Sequence, residues 1–161
     1  GGMTVGAFGG RADVMAAFDP ARGGTLTHGG TFNNNVVSMA GAAAAMSEML
    51  SEATLSQLFA RGESLRSRLN ELFTASSLPL SATGVGSMMA VHTIDGPING
   101  PHDLETSDHE LRQLLFHELL HRGCYIAARG FIALSLDITD EQCDTLVGVM
   151  SEAIDSISPS N

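Results

Sequence analysis

The longest amphipathic segment of the sequence lies at residues 52–75, where leucine and phenylalanine recur at steps of three and four residues. This spacing places the apolar side chains along one stripe of an α-helix and leaves the charged residues at 61–68 on its solvent side. The apolar positions are Leu55, Leu58, Phe59, Leu65, Leu69, Leu72 and Phe73. The segment predicts a long helix whose apolar stripe covers the core of a folded unit.

The chain after this helix alternates between short extended segments and further helices. Gly84 and Gly86 interrupt an alternating stretch and predict a turn or bulge between two strands. The predicted elements are strands within 80–94, a loop at 95–103, a helix at 104–122, strands at 124–126 and 131–136, and a last helix capped within 137–140 and running to Ile157. This order predicts a small α+β unit with helices over one face of an antiparallel sheet.

The first fifty residues do not fit into that unit. They read as a glycine-rich loop entering a short strand at 1–10, a short helix at 11–18, a long loop at 19–35 and an alanine-rich helix at 36–50. Asn34 or Asn35 is placed to cap the last of these helices. We therefore expect residues 1–50 to form the C-terminal edge of a larger domain, and residues 51–161 to form a small C-terminal α+β domain.

The amino-acid composition limits the classes of protein to which this chain can belong. A hydrophobic content of 43% over 161 residues supports a packed core, and a net charge of −10 disfavours nucleic acid as a partner. No uninterrupted apolar stretch approaches the length of about 18 residues that a membrane span needs, and no secretory leader opens the chain. Cys124 and Cys143 are too few for a disulfide scaffold. The expectation is a cytoplasmic protein that binds neither nucleic acid nor membrane.

Three motifs carry a family resemblance when they are read together. They are GGMTVGAFGGRADVM at 1–15, HGGTFNNN at 28–35 and ARGFIALS at 128–135. In this order they resemble the C-terminal third of class III aminotransferases, and among those the glutamate-1-semialdehyde aminomutases and β-phenylalanine aminotransferases. The resemblance implies the α/β fold of pyridoxal-phosphate-dependent transferases of fold type I, here the end of the large domain plus the small domain. It also implies pyridoxal 5'-phosphate as cofactor, with amino-acid and keto-acid substrates.

The resemblance assigns roles to individual residues. Gly30 and Thr31 match a Gly-Thr pair that contacts the cofactor phosphate of the neighbouring subunit, for which a hydroxyl and loop amides are suitable donors. Arg129 matches an arginine that binds a substrate carboxylate, a task that a planar guanidinium performs by bidentate pairing. Asn35 is followed by Val36 where the family usually has proline, which favours the β-amino-acid enzymes over the aminomutases.

The chain contains no lysine, since all eight of its basic residues are arginine. Family members form a Schiff base between the cofactor and a lysine, which the resemblance implies lies a few residues before Gly1. We therefore expect no catalytic residue within this chain and no activity from it alone. The expected assembly is a homodimer with shared active sites, or a complex with a separate chain that carries the N-terminal part.

Three alternatives compete with the aminotransferase reading. The sequence HELLH at 117–121 matches the pattern of zinc metalloproteases, with Glu141 as a possible third ligand. The helix pattern, however, places His117 and His121 on the same polar face as Glu110, so we expect no metal there. The other two alternatives are an aminomutase-type isomerase and a non-catalytic interaction module descended from the enzyme.

Overall fold

The computed structural model describes residues 3–31, 33–94 and 96–158, which form two compact units divided between Ser51 and Glu52. Gly1 and Gly2 of the first motif, Phe32 of the second and Asp95 of the predicted loop lie outside the described residues. No helix in the described part of the chain is long and apolar enough to cross a membrane.

The first unit contains two short helices joined by a long loop. Helix α1 spans Ala12–Met15 and continues as a 3-10 turn, whereas α2 spans Val36–Ala44 and ends in a π-helical turn at Ala45–Met49. The helices predicted at 11–18 and 36–50 are thus confirmed. The strand predicted within the first ten residues is wrong, since residues 4–10 have no regular structure. No described residue of this unit is buried.

The second unit combines three helices with one sheet. Its elements are α3 (Glu52–Ala75), β1 (Ser81–Val85), β2 (Met88–His92), α4 (His109–His121), β3 (Phe131–Ala133) and α5 (Asp140–Ile157). The strands form an antiparallel sheet in the order β1-β2-β3, with Ala82 opposite Val91 and Met89 opposite Ile132. Helix α3 has the bounds that the spacing of its leucines predicts.

One face of this sheet is buried against the helices. Ala82, Met89, Val91 and Ile132 alternate with more exposed neighbours along their strands, as expected for a sheet covered on one side. The helical side of the core is formed by Leu65, Leu69 and Phe73 of α3, Leu115 and Leu119 of α4, and Met150, Ala153 and Ile154 of α5. This packing confirms the α+β unit that the sequence predicts.

Two predicted boundaries and one predicted strand in this unit are wrong. The helix expected at 104–122 begins only at His109, because Asp108 accepts a hydrogen bond from the backbone N–H of Leu111 at 2.9 Å and caps the helix there. A separate 3-10 helix at Pro101–Thr106 precedes it. Residues 124–126 form no strand, and the strand expected at 131–136 extends only over Phe131–Ala133.

Polar side chains of α3 attach the β1–β2 hairpin to the helix. The Asn70 side chain accepts a hydrogen bond from the backbone N–H of Ala82 at 2.8 Å and donates one to the carbonyl of Ala82 at 2.9 Å. The Glu63 carboxylate accepts from the backbone N–H of Gly86, in the hairpin turn, at 2.8 Å. The hydrogen bond from Arg66, assisted by that of Gly86, holds the pKa of Glu63 below its ordinary value.

Candidate functional site

The loop at 28–35 forms a tight turn at the start of α2. The backbone N–H of Asn33 donates to the carbonyl of Gly30 at 3.0 Å, so Thr31 lies within the turn, and its side chain is exposed. Asn34 adopts a left-handed conformation with φ 60°, which asparagine tolerates better than most residues. The Asn35 side chain then accepts from the N–H groups of Val37 and Ser38, both at 3.1 Å, and caps the helix.

An aromatic cluster holds the beginning of this loop. The ring of His28 lies 4.9 Å from that of Phe8 and 6.5 Å from that of Phe18, and the two phenylalanine rings are 5.2 Å apart, all edge to face. The Asn33 amide nitrogen lies 3.4 Å from Nε2 of His28. The three rings are ten residues apart along the chain, a spacing that corresponds to neither a helix nor a strand, so the sequence assigned His28 no role.

The first two sequence motifs line a common cavity. It has a volume of about 620 Å³, and its walls include Met3 and Gly6 from the first motif, His28 and Asn33 from the second, and Ser38 of α2. Its polar groups are amides, hydroxyls and an imidazole. Such groups can form hydrogen bonds with a ligand, and none of them carries a permanent charge. The structure thus brings these two motifs together within the first unit.

The third motif forms a turn that only glycine can complete. The N–H of Gly130 donates to the carbonyl of Ala127 at 2.7 Å, and the carbonyl of Gly130 accepts from Val91 of β2 at 2.9 Å. Gly130 has φ 86°, and a Cβ atom there would lie 2.1 Å from the carbonyl oxygen of Val91. The turn is therefore fastened to the sheet with a fixed shape.

Arg129 projects from this turn and is exposed. Its guanidinium carbon lies 5.6 Å from the centre of the Phe131 ring, a cation–π arrangement. Six other arginines form ion pairs with carboxylates: Arg11, Arg22, Arg61, Arg66, Arg68 and Arg122. Within residues 3–31, 33–94 and 96–158, neither Arg129 nor Arg112 has such a pair. A free guanidinium on a rigid turn is suited to binding a carboxylate.

The HELLH sequence lies on α4 with both histidines exposed. Glu118, the carboxylate that would serve as a base in a metalloprotease, forms an ion pair with Arg122, whose hydrogen bond lowers the pKa of Glu118. Among the described residues, no group of three or more His, Cys, Asp or Glu side chains is arranged to hold a metal ion. Glu118 is thus occupied in an ordinary pair between residues one turn apart.

The chain is similar to known proteins over nearly its whole length. The family model described as aminotransferase class-III matches residues 1–154. A beta-phenylalanine transaminase of Variovorax paradoxus is 46% identical over 154 residues, which are 96% of this chain and 35% of that protein. A glutamate-1-semialdehyde 2,1-aminomutase of Limosilactobacillus reuteri is 28% identical over 158 residues, 97% of this chain and 36% of that protein. The chain thus spans about a third of the length of these relatives.

Solved structures give the same result for the fold. The crystal structure of a beta-phenylalanine aminotransferase from Variovorax paradoxus matches with a TM-score of 0.83 and 44% identity, over 92% of this chain and 34% of that one. An omega-transaminase from Sphaerobacter thermophilus matches with a TM-score of 0.73 and 28% identity, over 91% of this chain and 34% of that one. The fold is the α/β fold of pyridoxal-phosphate-dependent transferases of fold type I, as the motifs predict. The chain belongs to the class III aminotransferase family.

Proposed function

We propose that this chain is the C-terminal part of an enzyme that uses pyridoxal 5'-phosphate to move an amino group between a β-amino acid and a keto acid. Family membership supports the reaction type, and the 46% identity to a beta-phenylalanine transaminase favours a β-amino acid as donor. On this proposal, residues 1–50 belong to the large domain and residues 51–161 form the small domain. The partner is a second subunit, or a chain carrying the N-terminal part.

The observation that carries the proposal is the free guanidinium of Arg129. The chain has 18 acidic residues and eight arginines, so most exposed arginines are expected to have a carboxylate partner. Among the described residues, Arg129 has none. Its turn is fixed by Gly130, which limits the positions that the guanidinium can take. We infer that Arg129 binds the substrate carboxylate in two parallel hydrogen bonds and so orients the amino group for reaction.

Gly30 and Thr31 fit the phosphate of the cofactor. The Thr31 side chain is exposed in a turn, and the neighbouring Gly29 has open space where a side chain would stand. A hydroxyl and the amides of a glycine-rich loop are the donors that a phosphate accepts from. An outward-facing hydroxyl suits a phosphate held by a neighbouring subunit. When bound, the cofactor supplies the electron sink of the reaction.

The carboxylate role is tested on the full-length enzyme with a matched pair of amines, 3-amino-3-phenylpropanoate and 1-phenylpropylamine, which differ only in a carboxylate and a methyl group. Arg129→Met is expected to raise KM for the first about 10- to 100-fold, the range for a hydrogen bond to a charged group. KM for the second should change less than twofold. Arg68→Met, which removes an arginine paired with Asp144, is the control. An equal effect of Arg129→Met on both amines would contradict the proposal.

The phosphate role has its own measurement. In the full-length enzyme, Thr31→Val is expected to weaken the binding of pyridoxal phosphate about 10- to 100-fold, as for the loss of one hydrogen bond to a charged acceptor. The dissociation constant is followed by cofactor absorbance. Thr27→Val, an exposed threonine of the same loop, is the matched control. Equal affinities for the two variants would exclude a direct phosphate contact by the Thr31 hydroxyl.

A further inference from the structure

Arg112 of α4 is the second arginine without a carboxylate partner in the described part of the chain. Its Nη2 atom lies 2.5 Å from Nδ1 of His109, on the preceding helical turn. Its Nε atom is buried and has no hydrogen-bond partner among the described residues. A buried N–H without a partner costs about 1–3 kcal/mol, so a group that satisfies this donor is expected.

The surroundings of Arg112 indicate what that group is. Arg112 lines a small, partly open cavity together with Thr93 and with Ala127, Ala128 and Gly130 of the turn that carries Arg129. The cavity has a volume of about 10 Å³, close to the space that one water molecule occupies. The Thr93 hydroxyl is already committed, since it donates to the carbonyl of Asp108 at 2.6 Å. Arg112 thus lies on the side of the turn that faces the cavity, whereas Arg129 lies on the side that faces solvent.

We propose that Arg112 is a positioning residue for Arg129, and that its buried Nε–H holds the backbone of the 127–130 turn through one water molecule bound in this cavity. The proposal rests on the proposed function, in which Arg129 binds the substrate carboxylate. In this role Arg112 acts on the substrate only through Arg129. It fixes the inner side of the turn, while the bond between Gly130 and Val91 fixes its end. Small shifts of this turn would move the guanidinium of Arg129 away from the carboxylate.

The test uses the full-length enzyme and the same pair of amines. Arg112→Met keeps an unbranched apolar stem but removes the donors, and should raise KM for 3-amino-3-phenylpropanoate about fivefold, the effect of one hydrogen bond. KM for 1-phenylpropylamine should stay within twofold, and kcat for both amines should be nearly unchanged. Arg112→Lys restores a charged donor and should recover most of the loss. If the Met variant is poorly folded, Arg112→Leu, which also lacks every donor, takes its place with the same expected result.

A double variant separates positioning from general damage to the fold. If Arg112 acts only through Arg129, then Arg112→Met should add less than a twofold change in KM to an enzyme that already carries Arg129→Met. A purely structural role would instead lower activity toward both amines and add fully to the Arg129 variant. Either result would overturn the proposal.

The failure of this proposal is distinguishable from failure of the proposed function. If Arg129→Met discriminates between the two amines and neither Arg112 variant does, only the role of Arg112 is wrong. If Arg129→Met treats the two amines alike, the carboxylate role of Arg129 and the positioning role of Arg112 are both wrong.

Discussion

The two units of the chain differ in what stabilises them. In the second unit, Leu69, Leu119 and Met150 are among the side chains with no exposed surface, and the core contains residues from all three helices and all three strands. In the first unit, the described residues from 3 to 51 include none that is buried, and large apolar side chains such as Phe8, Val36 and Met46 are more than half exposed. One unit therefore buries an apolar core of its own, and the other does not.

The contrast shows that local order and global stability have separate sources. The first unit has a capped helix, a tight turn and an aromatic cluster, each of which fixes a few neighbouring residues. Such interactions contribute about 1 kcal/mol apiece, which does not offset the conformational entropy of fifty ordered residues. Exposed apolar side chains in this number are typical of a surface that packs against another protein segment. The motifs proposed to contact the cofactor thus lie on the unit that has no buried core of its own among its described residues.

Separating the units should give the largest effect. Residues 52–161 expressed alone are expected to unfold cooperatively with denaturant, because their core lies within that segment. Residues 1–51 expressed alone are expected to remain without stable structure. Circular dichroism during urea titration measures both. A cooperative transition in the 1–51 segment would contradict the comparison.

Truncation of one side chain in each unit sharpens the contrast. Leu69→Ala removes a side chain with 0% exposure and should lower the free energy of unfolding by about 2–5 kcal/mol. Val37→Ala, at a position with 64% exposure, should change it by less than about 0.5 kcal/mol. Urea unfolding of the intact chain provides the measurement. Equal losses would mean that the first unit has a core of its own.

Substitution of one glycine in each unit should again destabilise the second unit more than the first. Gly130→Ala places a Cβ atom against the carbonyl of Val91 at a positive φ and is expected to cost about 1–3 kcal/mol. Gly29→Ala meets nothing within 4 Å and should be nearly neutral in stability. Thermal unfolding of both variants tests this, and a neutral Gly130→Ala would show that the turn is not rigid.

The smallest effect concerns the pH dependence of stability and compares one histidine from each unit. Burial, followed by the charge of Arg112, lowers the pKa of His92, whose Nε2 lies 2.8 Å from the Thr83 hydroxyl. The unfolded chain then takes up a proton more readily than the folded chain below pH 6.5, so His92 causes stability to fall as the pH drops through that value. His92→Gln should weaken this fall between pH 7 and 5, whereas His28→Gln, at an exposed position, should not.

Sequence periodicity was sufficient where an element has a strong apolar stripe. Helix α3 follows from the spacing of its leucines, and the strands β1 and β2 follow from alternation around Gly86. Periodicity was insufficient at 124–126, where no strand forms: the N–H of Cys124 donates to the carbonyl of Leu119 at the end of α4, and the ladder-like bond nearby, from the N–H of Ala127 to the carbonyl of Phe131 at 3.3 Å, lies outside the segment. Whether a short apolar segment becomes a strand depends on a partner distant in the sequence, which a local pattern does not contain.

The candidate site was predictable only in part, and from a family resemblance rather than from periodicity. Gly30, Thr31 and Arg129 came from a resemblance, and their functional roles remain predictions. The sequence alone did not reveal Arg112, since its significance lies in the absence of a carboxylate partner and in its closeness to the 127–130 turn. The cap at Asp108 was visible in the sequence, as an aspartate directly before the apolar spacing of α4.

The hydrogen bonds between Asn70 and Ala82 have a consequence for association between copies of this chain. Strand β1 lies at one edge of the sheet among the described residues, and such an edge normally offers its N–H and carbonyl groups to any extended segment that approaches. The Asn70 amide occupies both groups of Ala82, in the way a neighbouring strand would. At Ala82, near the start of β1, the edge therefore has no free backbone group to offer an approaching strand, and one side chain takes the place that strand addition would need.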